Sequence, residues 1–325
     1  MRKIEIDILR GLMIICVLIG HCSFASHLRF DVFWFHMPIF FMISGYLTKI
    51  PFNNPLKNRE YLKKKTLRYV LPYFSYSIVF YCIFHPEHIL KNFVRTLYAG
   101  YNNITIYSYP FWFINALFVS SIGFSYLLWA TKKYKNNTLI LSVIIALLFI
   151  AIHIGKIYPL TFPLPWGLDQ MLGALIFIYI GYIYNGNENT RPLRLILPIT
   201  AIAFSIFNLI YDCNYTLNMQ KMEYNNFILD LIIPCSFAML FYELSLVIKN
   251  IPIGNKIFEE FGKASMTIFF THAAIFCFIG NEYPVIRIVT ALILGYLIHR
   301  FFLLNTYLRL FFIGEYEGSI HKQKS

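Results

Sequence analysis

The stretch TLILSVIIALLFIAIHIG, residues 138–155, contains no Asp, Glu, Lys or Arg. About 20 mostly apolar residues are needed for a helix to cross the hydrocarbon core of a bilayer, and this run reads as one such span. The same reading applied outward along the chain finds ten candidates: residues 8–25, 32–48, 67–84, 111–130, 138–155, 165–184, 193–211, 227–247, 265–280 and 285–314. The last is long enough to span and then run along the inner surface. The fold class expected is all-α, a polytopic membrane protein of about ten transmembrane helices. Composition agrees: of 325 residues, 58% are hydrophobic and only 14% charged, against about 25% charged in a soluble domain. Aromatic residues make up 19%, which suits lipid-facing and interfacial positions. A soluble globule, a disordered chain, collagen and a disulfide scaffold are all excluded. The cysteines show no CxxC or paired spacing, so Cys16, Cys22, Cys82, Cys235 and Cys277 read as reduced core thiols, with no metal site expected.

A net charge of +12 would suggest nucleic acid as a partner in a soluble protein. Here the positions of the charges matter more than their total. With the N-terminus inside, nineteen basic residues fall in cytoplasmic segments: Arg2 and Lys3, seven between residues 49 and 68, Lys132, Lys133 and Lys135, Arg191 and Arg194, Lys249, Lys256 and Lys263, and Lys322 and Lys324. Six fall on the other side: Arg29, Lys91, Arg95, Lys156, Lys221 and Arg287. Positive charge stays inside, so both termini are expected in the cytoplasm and no nucleic-acid partner is expected. The first 25 residues imitate a secretory signal, but Asp7, Arg10 and His21 interrupt them and nine further spans follow. No repeat or low-complexity tract is visible. The sizeable loops are 50–66 inside, and 87–110 and 212–226 outside. Residues 1–325 are therefore expected to form a single transmembrane domain with no appended soluble domain.

Ionisable groups at membrane depth are expensive and mark functional candidates. At about 100° per residue, Arg10 and His21 fall within about 20° of each other, with Asp7 at the edge of the same stripe. The stripe runs about 16 Å outward from the inner surface. A structural reading, an Asp-Arg pair at the interface and a satisfied core histidine, stands beside the functional one. The first two spans are joined by a short outer turn, so His21 and His36 lie at matching depth, each able to move protons near neutral pH. Nearer the cytoplasm, Ser44 and Gly45 are small enough to allow close helix approach.

His272 falls near the middle of the ninth span, and Asp169 and Asp230 in the outer turns of the sixth and eighth; bonding to backbone or capping would also account for these three. Glu243, His299 and Arg300 read as side chains snorkelling at the inner third. His85 and His88 have metal-like spacing, but they stand at an outer helix end beside a proline. Lys63, Lys64, Lys65 and Arg68 form a dense cation patch, fit for lipid headgroups or for a phosphorylated cofactor.

At this point the residues resemble the integral-membrane acyltransferase-3 family, including its fucose O-acetylase-like and O-antigen-acetylating branches. The resemblance begins with Asp7-Ile8-Leu9-Arg10-Gly11 followed by His21, similar to the family's Arg-x10-His signature. It continues with His36-Met37-Pro38-Ile39-Phe40-Phe41-Met42-Ile43-Ser44-Gly45-Tyr46. Weaker matches are Lys65-Thr66-Leu67-Arg68 leading to Pro72, Trp112-Phe113 with Leu117-Phe118, and Gly262-Lys263-Ala264-Ser265 leading to His272. Tyr46 stands where Phe is frequent and Lys65 where Arg is frequent. The resemblance implies transfer of an acyl group, usually acetyl from cytoplasmic acetyl-CoA, to a hydroxyl of an extracytoplasmic or lipid-linked glycan, in a multi-pass cell-membrane protein of bacterial type. Some relatives carry an extra extracytoplasmic domain, and the chain is expected to end too soon for one.

With that implication, the donor-side residues are Arg10, Lys65, Arg68, Ser44 and Gly45, and the acceptor-side residues Trp112, Asn115, Asp169, Asp230 and His272. His21 is the expected base or transient acyl carrier, with His36 orienting it or relaying the proton and Asp7 supporting the catalytic stripe. Partners expected are the glycan acceptor and membrane lipids. The rival reading is a proton-coupled secondary transporter or flippase using the same groups, although no matched broken helices are visible. A non-catalytic scaffold would leave the polar face of the first span without a purpose.

Overall fold

The computed structural model describes residues 3–22, 31–49, 53–84, 86–98, 107–155, 164–185, 191–211 and 213–315. They form an all-helical protein with one two-residue hairpin. The helices are α1 (Ile4–Gly20), α2 (His36–Tyr46), α3 (Arg59–Lys65), α4 (Leu71–Phe84), α5 (Ile89–Tyr98), α6 (Trp112–Thr131), α7 (Asn137–Gly155), α8 (Leu168–Asn185), α9 (Arg191–Tyr211), α10 (Leu229–Lys249), α11 (Pro252–Cys277), α12 (Pro284–Leu303) and α13 (Thr306–Leu308). Among the described residues, seven helical stretches are long and apolar enough to cross a membrane. The other three expected spans also have helices: α1 has 17 residues, Val32–Tyr46 forms a shorter apolar helix, and α11 carries a polar inner half. Exposed side chains such as Ile199, Ile202 and Ile206 on α9 and Val289, Ile293 and Leu297 on α12 present apolar faces that only lipid solvates well.

The chain divides into two compact units. Unit 1 comprises Met1–Phe40, Gly186–Asn218 and Glu223–Phe301; unit 2 comprises Phe41–Asn185, Met219–Met222 and Phe302–Ser325. In unit 1, α1 packs along α11. Gly11 and Gly262 make that approach possible: a Cβ on Gly11 would stand 2.1 Å from the Phe258 carbonyl oxygen, and one on Gly262 would stand 1.8 Å from that of Asp7. Near the outer end, Asp31 caps a short turn by accepting from the Phe33 amide, and Trp34 donates its indole N–H to the Tyr215 carbonyl at 2.8 Å. Phe35 stacks on Phe237, with ring centres 4.4 Å apart.

In unit 2, α2 and α8 cross at Gly45 and Gly181, each facing the other's backbone. This is the close approach expected at Ser44-Gly45. Helices α3 and α4 run as one rod from Arg59 to Phe84, relaxed into a π turn over Thr66–Val70. Pro72, which has no N–H to donate and would crowd the carbonyl four residues back, accounts for that relaxation. After α12 the chain turns at Leu304-Asn305, and the Arg309–Ile313 turn packs on α4, so the last expected span does continue past its crossing.

Three expectations are corrected. The outer segment 87–110, read as a loop, contains α5, which points Asn92 and Thr96 inward and Leu90, Val94 and Leu97 outward. Thr96 donates to Tyr81 at 2.9 Å and its carbonyl accepts from Tyr73 at 3.1 Å. At ten residues with two cations, α5 is too short and too charged to register as a span. Cys82 and Cys277 are exposed on apolar helix faces rather than core thiols. His299 is buried and bonded to the Thr267 hydroxyl at 3.1 Å, and Glu243 pairs bidentately with Arg194 at 2.5 and 3.0 Å; neither is left to snorkel.

Candidate active site

Helices α1 and α11 run parallel. Ten residues beyond the Gly11–Gly262 crossing on each helix, His21 and His272 meet: their rings stack with centres 5.2 Å apart and planes inclined by 23°. The close crossing sets the register, and the register brings the histidines together. His272 is fully buried, and its Nδ1 lies 2.7 Å from the Phe269 carbonyl oxygen. A carbonyl only accepts, so Nδ1 carries the proton and Nε2 holds the lone pair of the neutral ring. His36 repeats this arrangement at 2.5 Å from the Val32 carbonyl. The Phe33 ring stands edge-on to both His21, at 5.7 Å, and His36, at 5.1 Å. Unit 1 thus holds a cluster of three imidazoles in an aromatic setting, His36 and His272 buried and His21 half-buried, suited to accepting and passing on a proton.

At the inner end of the same helix, the Asp7 carboxylate is 2% exposed and accepts from Arg10 at 3.2 Å. Asp7 therefore stands with the guanidinium, fourteen positions from His21, and holds Arg10 in place. Nearby, Lys249 bonds Glu5 at 2.9 Å, and Lys263 bridges Glu259 and Glu260 at 2.7 and 2.6 Å. Asp230, also in unit 1, is fully buried in the first turn of α10, and its Oδ2 accepts from the Asn226 amide at 3.1 Å.

The remaining expected site residues belong to unit 2. Lys65 holds its ammonium over the Tyr61 and Tyr69 rings, at 5.8 and 5.6 Å. Arg68, inside the π turn, reaches Glu315 at 3.3 Å and the Ile313 carbonyl at 3.4 Å. Ser44 lies 3.3 Å from the Ser121 hydroxyl, in a polar ladder where Tyr61 meets Ser125 at 2.7 Å. Trp112 and Asn115 are buried in the first turns of α6, and Asn115 is within hydrogen-bonding reach of Tyr73. Asp169, in the first turn of α8, follows the turn where Trp166 and Gly167 adopt positive φ of 59° and 70°. The Oδ1 atoms of Asn115 and Asp169 have no donor among the described residues, so both are ready to accept from hydroxyl groups.

Several residues escape sequence reasoning. Phe33 carries no chemical signal, and its place between two histidines depends on the turn capped by Asp31. Tyr61, Ser121 and Ser125 join Ser44 only through helix packing. His272 was expected on the acceptor side by resemblance; its stacking on His21 requires the α1–α11 register. Arg287 was counted only as an outer cation, yet it is 8% exposed. Of the metal-like pair, His85 lies outside the described residues and His88 is exposed.

A family model described as an acyltransferase domain matches residues 3–314. No curated protein and no solved structure matches the chain. The matched stretch takes in both halves of the Arg-x10-His signature, the Ser44-Gly45 segment, the Lys65–Arg68 turn and His272. This chain is a multi-pass membrane acyltransferase and belongs to the acyltransferase-3 family.

Proposed function

We propose that the protein moves an acyl group, acetyl in particular, from cytoplasmic acetyl-CoA to a hydroxyl of an extracytoplasmic or lipid-linked glycan. The observation that carries this reading is the His21–His272 stack at the outer end of a helix whose inner end presents Arg10. The two ends are about 16 Å apart along the helix, a span suited to a donor entering from one side and an acceptor from the other.

Acyl-CoA supplies an activated thioester when bound. Its phosphates call for exposed or half-exposed cations, and Arg10, Lys65 and Arg68 meet that requirement: the side chains of Arg10 and Arg68 are 29% and 41% exposed, and Lys65 is half-buried. Ser44 and Gly45 stand on the donor side of this reading. His21 takes the proton from the acceptor hydroxyl as the oxygen attacks the acyl carbon, and returns it to the leaving sulfur. His272, stacked on His21, shares that proton, and His36 holds the pair in orientation. Asp7 acts through Arg10. Trp112, Asn115, Asp169 and Asp230 are the acceptor-side groups: an aromatic platform and buried oxygens for sugar hydroxyls.

The test is CoA release by purified protein in lipid vesicles, with and without an oligosaccharide acceptor. The wild type should release CoA only when acceptor is present. His21→Ala should lower turnover by about 10² to 10⁴ while acetyl-CoA binding stays unchanged, the loss expected for a general base. A folded variant that turns over near the wild-type rate would overturn the assignment. Acceptor movement without CoA release would establish the transporter reading instead.

A further inference from the structure

Arg287 stands in the first turns of α12, and its burial is expensive: a guanidinium away from water needs an anion or a full set of acceptors. Its Nη1 bonds the Asn281 side-chain oxygen and its Nη2 the Phe276 carbonyl at 3.3 Å, both neutral. Its Nε has no acceptor among the described residues, and no carboxylate there lies within ion-pair distance. The guanidinium lies over the Phe276 ring, 4.5 Å from its centre. The neutral bonds end α11 tidily, but they leave the positive charge without a counter-charge among the described residues.

Two separate tethers tie this cation to the histidine cluster. The Phe276 ring under Arg287 also stands edge-on to His272 at 5.6 Å. Cys22, the residue after His21, reaches the carbonyl of Pro284, the first residue of α12, at 3.8 Å. Arg287 is therefore one aromatic ring away from the stacked histidines, and the first residue of its helix lies against Cys22. We infer that Arg287 is an anion-recognition residue for the acceptor, taking a carboxylate or phosphate oxygen on its buried, unpaired Nε edge so that a hydroxyl of the same molecule is presented to His21. This rests on the acyl-transfer reading and adds the substrate class: an anionic glycan. The anionic group has two chemical sources, a uronic acid within the sugar or the phosphate of a lipid carrier.

The experiment compares three acceptors in vesicles containing the full-length protein: a neutral trisaccharide, the same trisaccharide with one hexuronic acid, and the neutral trisaccharide on a polyprenyl pyrophosphate. Wild-type KM should be about tenfold lower for one of the two anionic acceptors than for the neutral one, the effect of one charge-assisted hydrogen bond, and the arm that gains names the source. Arg287→Gln keeps donors for the Phe276 carbonyl and should erase the preference with little change in kcat on the neutral acceptor. Arg287→Lys keeps the charge and should restore part of it. Equal wild-type KM values for all three acceptors, or a preference that survives in Arg287→Gln, would overturn the inference while leaving acyl transfer intact. If no saccharide is acylated, the acyl-transfer reading fails separately, and equilibrium binding of the uronate and the pyrophosphate-linked trisaccharides decides the anion site: tight binding of either that is lost in Arg287→Gln supports it, and absent or unchanged binding of both overturns it. Should Arg287→Gln not accumulate, the wild-type KM ratio and Arg287→Lys carry the same decision.

Discussion

On the proposed function, Arg10 has two duties that pull a mutant in different directions. As a donor-side cation it should set the KM for acetyl-CoA, and as the partner of a carboxylate only 2% exposed it neutralises Asp7. Arg10→Ala should therefore raise the donor KM and also cost about 3 kcal/mol of stability, near the lower end for breaking a buried pair because Arg10 keeps some exposure. Arg10→Lys restores the charge without the fork, so thermal unfolding should recover more fully than the donor titration. Unfolding of Arg10→Ala at the wild-type temperature would show that the pair is not structural. His36→Ala should lower turnover less than His21→Ala, since Phe33 stands between the rings and the Nδ1 of His36 is tied to Val32. At this scale the Arg10–His21 stripe was legible because helical periodicity is a property of one segment. The burial of Arg287 was not, because counting charges by side says nothing about depth.

The α1–α11 crossing makes a sharper claim at the level of elements. A Cβ at position 262 would meet backbone, which cannot swing away as a side chain can, so Gly262→Ala should cost at least about 3 kcal/mol. Because the crossing sets the register ten residues outward, any protein that folds should also lose turnover. Gly254→Ala on the same helix is the control: its nearest neighbour would be 3.5 Å away, an ordinary contact, and the change should stabilise the helix by up to about 1 kcal/mol. Unfolding temperatures of the two variants check the pair, and equal effects would remove the special role of the crossing.

The inner half of α11 adds a pH dependence. Burial opposes ionisation of Glu260, but the bond and charge of Lys263, with Arg300 and His299, outweigh it and hold the carboxyl below its ordinary value. A lowered carboxyl contributes stability above its unfolded value and loses it as pH falls through the folded one. Lys263→Met should thus cost less than about 1 kcal/mol at pH 7, the pair being largely solvated, and the gap from wild type should close below about pH 4. A gap that widens on acidification would reverse the assignment.

For the whole molecule, the bias of basic residues leads us to expect both ends inside. Reporter tags after Lys57 and at Ser325 should read as cytoplasmic, and one at Asn102, outside the described residues, as external. An external C-terminus would sink the ten-span orientation. The expected site residues divide between the two units: Asp7, Arg10, His21, His36, Asp230 and His272 in the first, and Ser44, Gly45, Lys65, Arg68, Trp112, Asn115 and Asp169 in the second. Residues 1–40 of unit 1 are joined by chain to unit 2 before the other unit 1 segments begin at residue 186, so neither unit is a continuous piece of sequence.

The sequence by itself determined the membrane-spanning class, the helical segments, the polar stripe on α1 and the family, since each follows from local composition, period or motif. Lipid imposes the first two directly: a long apolar run must satisfy its own backbone, and only a helix does so within one segment. Only the tertiary structure decided that His272 is the residue stacked on His21, that Phe33 stands between His21 and His36, that α5 is a helix with Asn92 and Thr96 inward, and that Arg287 is buried with no carboxylate beside it among the described residues. Each of these depends on the contact between segments distant in the chain, and that contact is set by which backbones approach closely enough to touch. Glycines such as Gly11 and Gly262 permit that approach, but a sequence shows only their presence and not the partner they meet.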